Sequence, residues 1–239
     1  MGLNKSKGME NNMYDWIDDT ANPLGGECFH NCSYCYVKKL KHTKPVIRNK
    51  YTGPPSISEN GMKKIAGKDK FIFLCDMTDL FADNVPFQYI KDIIDKCKSK
   101  PCNRYLLQTK NTKRMFDLKF LFADIHLPIF SICTTFESNR HYPQIMNNSP
   151  KPIDRITWFH RLGFANLDKF ITVEPVLDFD LDEMVKSLSG ANPTQINLGA
   201  DSGNNNLPEP PKEKILELIT ELEKFTIVKQ KKNLKRLLK

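Results

Sequence analysis

The sequence predicts an α/β fold: an open, partial (β/α)6 TIM-like barrel, with parallel strands inside and helices outside. Three observations carry this. Short β-rich apolar runs recur along the chain, and they are continuous rather than alternating, as strands buried on both faces require. Amphipathic stretches at helical spacing lie between them. Neighbouring runs are far enough apart for right-handed parallel crossovers. Six such units in 239 residues are too few for a closed eight-fold barrel. A doubly wound sheet is the alternative.

The elements follow in order. A leading strand is expected near 23–27, then a cysteine-rich loop at 26–37 and a helix after Cys35. Further strands are expected at 71–75 (Phe-Ile-Phe-Leu-Cys), 104–108, 128–133, 170–173 and 195–199. Residues 85–98 place Val85, Ile90, Ile93, Ile94 and Cys97 near helical spacing. Helices are also expected at 111–123, 154–162, 181–188 and 212–225, with Asp180 as an N-cap and Pro211 in a first turn. No internal repeat or linker divides the chain. It reads as one domain over 1–228 with a basic C-terminal extension at 229–239, an amphipathic helix carrying Leu234, Leu237 and Leu238.

No apolar run approaches the ~18 residues a membrane span needs, which excludes an integral membrane protein. With 40% hydrophobic, 10% aromatic and 27% charged residues, a disordered chain is excluded too. The net charge of +8 is unevenly spread. Ten Lys and Arg against two acids lie in 38–70, and six cations with no acid lie in 229–239; the rest is mildly acidic. Such runs are solvated faces or phosphate-binding surfaces, so 38–70 and 229–239 are candidate nucleic-acid contacts. The stretch 1–12 is polar and lacks a secretory apolar segment. Met1-Gly2-Leu3-Asn4-Lys5-Ser6 fits the myristoylation pattern, which is short and often matched by chance. Seven cysteines, an odd number with three crowded into eight residues, argue against a disulfide framework and for a reducing cytoplasm.

Those three are the strongest signal. Cys28, Cys32 and Cys35 read C-x3-C-x2-C, with Tyr34 just before the last. Thiolates this close in sequence converge only if the loop wraps one inorganic centre. Three protein ligands on a four-iron cluster leave one iron open to a small molecule. The loop follows the first strand, at the carboxyl edge where parallel α/β folds place their chemistry. In the alternative, Cys28, His30, Cys32 and Cys35 form a Cys3His zinc site, although zinc modules usually draw ligands from two separated pairs. His30 is a ligand only in that second reading.

This spacing, the aromatic before Cys35 and the six-unit pattern resemble the radical S-adenosylmethionine superfamily, and within it the phage-associated three-cysteine-motif proteins. Asp76 to Phe81, Gln108-Thr109-Lys110, Val173-Glu174-Pro175 and Gly199 to Gly203 share in the likeness. Tyr34-Cys35-Tyr36 and Thr109-Lys110 also resemble spore photoproduct lyase. The Gly-Gly-Glu that follows the second strand in the superfamily is absent, and Asp76 to Asp79 stands in its place. The resemblance implies a [4Fe-4S] cluster on Cys28, Cys32 and Cys35. It also implies S-adenosylmethionine at the open iron and an electron donor of flavodoxin or ferredoxin type. The cluster would reductively cleave S-adenosylmethionine to a 5′-deoxyadenosyl radical that takes hydrogen from a substrate.

By the same resemblance the strand ends face the cofactor. Tyr34 would contact adenine through its backbone, Thr78 and Asp79 would accept from the methionyl amine, and Thr109 and Lys110 would reach its carboxylate. Thr135, Glu137 and Ser138 follow strand four, where a ribose diol wants acceptors, and Glu174 before Pro175 would point inward. Each is otherwise a capping or loop residue. Cys75 and Cys133 end strands two and four and are candidate hydrogen-atom donors, or else small buried hydrophobes. The expected function is a radical enzyme acting on a nucleic acid or nucleotide. The alternatives are the same chemistry on a peptide or small metabolite, and a non-catalytic metal-stabilised nucleic-acid-binding module.

Overall fold

The structure is a computed structural model that describes residues 14–124, 126–163 and 167–239. The myristoylation-like pattern and the whole polar stretch 1–12 lie outside the described residues.

Seven strands form one all-parallel sheet. The chain enters through β1 (Asp19–Ala21), then makes a small antiparallel pair from β2 (Leu24–Gly25) and β3 (Ser56–Ile57). Helices α1 (Tyr36–Thr43) and α2 (Pro45–Lys50) lie between that pair, and α3 (Glu59–Lys64) follows it. From β4 (Phe71–Leu74) onward strands and helices alternate: α4 (Phe87–Lys98), β5 (Arg104–Thr109), α5 (Thr112–Asp117), β6 (Phe130–Thr135), α6 (Pro143–Met146) and α7 (Pro152–Arg161). Then come β7 (Lys169–Val173), α8 (Leu181–Gly190), β8 (Gln195–Leu198), α9 (Lys212–Glu223) and β9 (Ile227–Gln230). The sheet order is β1-β4-β5-β6-β7-β8-β9, with β1 and β9 at its edges, so this is the expected open, partial barrel.

The strands alternate between two environments. Ile72, Leu74, Tyr105, Leu107, Ile132, Ile171, Val173, Ile196 and Leu198 join the core formed with the helices, including Ile90, Ile93 and Ile94 of α4 and Leu218 and Leu222 of α9. Phe73, Leu106, Cys133 and Phe170 face the other way and pack with Tyr14, Trp16 and Ile17, a separate small cluster. The N-terminal stretch therefore plugs the concave side of the sheet. Trp16 stacks on Phe170 at 4.8 Å, and the Tyr14 hydroxyl donates to Gln108 Oε1 at 2.6 Å.

Three sequence expectations change. The leading strand is not 23–27 but Asp19–Ala21, a short polar edge strand; Leu24 and Gly25 turn away to pair with β3. A seventh strand exists, and the boundary expected between 228 and 229 falls inside it. Residues 229–239 do not form an amphipathic helix. They finish β9 and enter a 3-10 turn, Lys232–Arg236, that buries Leu234 completely. Two helix-start details differ as well. Pro211 is the residue before α9 rather than in its first turn, and the Asp180 side chain makes no cap to α8 but pairs with Arg140. Among the described residues, no helix is long and apolar enough to cross a membrane.

Candidate functional site

The cysteine loop, Cys75 to Asp79, Thr109-Lys110, Thr135 to Ser138 and Glu174 lie at or just after the carboxyl ends of β2, β4, β5, β6 and β7, whereas Cys133 lies in the middle of β6. The cysteine loop leaves β2 and runs into α1. Asn31, at φ 51°, takes the left-handed conformation that lets the loop reverse between Cys28 and Cys32. Hydrogen bonds hold the loop against α6 and the segment after it: Ser33 N–H to the Ile145 carbonyl at 2.9 Å, the Asn147 amide to the Asn31 carbonyl at 2.8 Å, Asn148 N–H to the His30 carbonyl at 3.1 Å, and the Asn148 amide to the Phe29 carbonyl at 3.0 Å.

All seven cysteines are free thiols. Cys32 is buried, with its sulfur 3.2 Å from Ser149 Oγ. Burial, then the nearby Asp79 charge, pushes the Cys28 thiol up to about 12; the backbone N–H groups of His30 and Asp79 pull the other way as donors to its sulfur. Burial raises Cys35 too, against N–H groups of Val37 and Lys38 at the start of α1. A Cys32 thiolate would raise both neighbours, so the three thiols repel one another when ionised.

Among the described residues no three His, Cys, Asp or Glu side chains already stand in metal-holding geometry. The donor set nonetheless fits an iron–sulfur centre. It offers three thiolates on one loop and N–H groups turned to two of the sulfurs, and their mutual repulsion is one that a bound cation removes.

Beside the loop, Asp79 is 8% exposed and fully engaged. Its carboxylate accepts from His30 Nε2 at 2.7 Å, Thr109 Oγ1 at 2.8 Å, Lys110 N–H at 2.8 Å and Phe81 N–H at 2.9 Å. Burial alone would raise its pKa, but the His30 charge and these hydrogen bonds hold it below the usual carboxylate range. Thr109 is therefore committed to Asp79, and Thr78 hydrogen-bonds through its N–H to the Cys75 carbonyl.

Glu137 is 0% exposed and sits among cations. Lys110 Nζ donates to its Oε1 at 2.8 Å, the Tyr34 hydroxyl donates to the same oxygen, and Arg155 Nη1 lies 2.7 Å from Oε2. Burial opposes the charge, yet Arg155 and Lys110 drive the carboxyl far below its ordinary range. The Arg155 N–H is directed at the Thr135 carbonyl, 2.7 Å away, so Oε2 has a charge beside it and no hydrogen bond. Lys110 Nζ also stands 5.4 Å above the Tyr34 ring.

The other expected residues lie apart from this pair. Ser138 turns to the loop after β7, donating to the Asp178 carbonyl at 2.7 Å. Glu174 is held by Lys231 Nζ and by the Asn233 amide at 2.7 Å, both following β9. Cys75, at φ 57°, belongs to the helix-side core, whereas Cys133 lies on the concave face with its sulfur 3.6 Å from Thr172 Oγ1. Burial pushes both thiols up to about 12.

Sequence reasoning missed His30 as a fixed partner, Arg155, Lys231 and Asn233. Arg155 did leave a signal, a cation between the apolar positions of α7 beside Ile156 and Phe159. Lys231 and Asn233 left none, because their partner is 57 and 59 residues away.

Known structures share this fold. A spore photoproduct lyase variant superposes with a TM-score of 0.61 at 11% identity, covering 95% of this chain and 78% of that one. Another variant, with bound AdoMet and dinucleoside spore photoproduct, gives 0.55 at 12%, covering 87% of this chain and 62% of that one. Streptococcus suis SuiB bound to precursor peptide SuiA gives 0.54 at 8%, covering 89% and 48%. The chain thus spans less than two thirds of the length of these last two. No curated protein matches the sequence. A family model does match, over residues 11–212 and therefore most of the chain, and on that ground the chain belongs to the family described as "Protein of unknown function (DUF5131)".

Proposed function

We propose that this chain is a radical S-adenosylmethionine enzyme, its cluster held by Cys28, Cys32 and Cys35. The observation that carries the reading is the three-thiol loop at the carboxyl edge of an open parallel barrel. Its support is the shared fold with spore photoproduct lyase, a structure of which has bound AdoMet. When bound, the [4Fe-4S] cluster supplies the electron that cleaves S-adenosylmethionine to methionine and a 5′-deoxyadenosyl radical.

The chain's own residues bind and orient. Glu137 offers Oε2, which has no hydrogen bond, to a ribose hydroxyl, with Tyr34 and Lys110 fixing the carboxylate. Lys110 Nζ, 14% exposed, adds a point charge for the methionyl carboxylate. Thr135 and Thr109 shape the wall through their buried positions. Cys133, on the concave face, is the retained candidate for hydrogen-atom donation. The electron comes from a flavodoxin- or ferredoxin-type donor.

For the substrate we favour a nucleic acid or nucleotide over a peptide. Lys38, Lys41 and Lys50 are tied to the cysteine loop or its flanks, whereas Lys44, Arg48, Lys63, Lys64 and Lys68 of the same 38–70 segment stand exposed. Anaerobic reconstitution with iron and sulfide, then dithionite and S-adenosylmethionine, should yield 5′-deoxyadenosine, and Cys32→Ala should abolish it. Equal product from Cys32→Ala, or zinc in place of iron, would sink the reading. DNA or RNA affinity should fall steeply with salt; affinity indifferent to salt would move the choice to a peptide.

A further inference from the structure

We propose that the buried His30–Asp79 pair is a positioning device for the cysteine loop, which ties the stretch between Cys28 and Cys32 to the ends of β4 and β5. The inference rests on the reading of that loop as a cluster site.

His30 is 3% exposed and Asp79 8%, and the two meet at 2.7 Å across 49 residues of sequence. Three of the four groups that donate to the Asp79 carboxylate come from β5 and the turn after β4. His30 is the fourth and the one that comes from the cysteine loop. A carboxylate with about four lone-pair sites is then fully used. The other partners of Asp79 all donate to it, so Nε2 does too. The side-chain bond thus fixes the loop on one side, while Asn148 holds the His30 and Phe29 carbonyls on the other. Breaking the side-chain bond loosens the loop beside Cys28 while Asp79 keeps its other three partners, so the rest of the fold is spared.

The remaining ring nitrogen, Nδ1, is buried with no partner. This leaves a choice between a residue that acts through Asp79 and one that acts through Nδ1. Glutamine separates them, because its amide N–H reaches where Nε2 stands but nothing replaces Nδ1.

The experiment compares full-length wild type, His30→Phe and His30→Gln. After anaerobic reconstitution, iron loss to a chelator should be about ten- to a hundredfold faster in His30→Phe. His30→Gln should stay close to wild type. In the iron-free proteins, alkylation read by mass spectrometry should be faster at Cys28 in His30→Phe alone, at an unchanged urea midpoint. That measurement tests the clamp without the centre, so a chain that takes up no cluster would defeat the proposed function and leave this result standing. Wild-type iron retention and alkylation in His30→Phe would overturn the inference. So would a His30→Gln protein as impaired as His30→Phe, which would make Nδ1 the acting atom.

Discussion

Asp79 and Glu137 are both buried carboxylates at the same edge of the sheet, and they are kept ionised by different means. Asp79 is satisfied atom by atom, through two backbone N–H groups, a hydroxyl and an imidazole. Glu137 is balanced by charge, with a lysine and a fully buried arginine, and one of its oxygens has no hydrogen bond. Lys110 serves both, its backbone on Asp79 and its ammonium on Glu137. Asp79 has no acceptor site left for a ligand and is a joint; Glu137 keeps one buried oxygen without a hydrogen bond. The sequence suggested that both receive S-adenosylmethionine; under the function proposed above only Glu137 does so.

The contrast can be broken by mutation. Arg155→Met removes half of the charge balance of Glu137 inside the protein and should lower unfolding stability most, by about 3–5 kcal/mol in urea titration. Asp79→Asn keeps its size but sets an amide against donors, and should cost less, about 1.5–3 kcal/mol. The reverse order would show that Asp79 depends on charge after all. The smallest effect concerns acid. An aspartate whose folded pKa is lowered adds stability above its unfolded value, near 3.9, and loses it as pH falls through the folded value. Wild type should therefore weaken from about pH 5 downward, and Asp79→Asn more gently, in urea midpoints between pH 6 and 3. An identical slope would mean that Asp79 does not titrate in that window.

Much of the fold was legible because strands β4 to β8 are buried on both faces and centred on short, mostly apolar runs, which are hard to mistake. The edge strands were not. Asp19–Ala21 is polar, and Ile227–Gln230 is mostly exposed and merges into a lysine-rich stretch, so composition pointed to a solvated tail. The cysteine loop was legible as a unit because three cysteines fall within eight residues. The duties of Asp79, Thr109 and Ser138 were not. A carboxylate or hydroxyl at a strand end looks the same whether its partner is a cofactor or a neighbouring loop, and only the long-range contacts decide. His30 shows this most clearly: it stands between Cys28 and Cys32, yet its partner lies 49 residues further on.

The seventh strand also sets a schedule for synthesis. Glu174 emerges from the ribosome well before Lys231 and Asn233, the residues that hold it. Until those have been made, the nascent chain has a half-formed rim, β8 has an unpaired edge, and the Leu234 site is empty. A chain that stops at residue 226 would thus present an unpaired β8 edge that invites pairing with other chains.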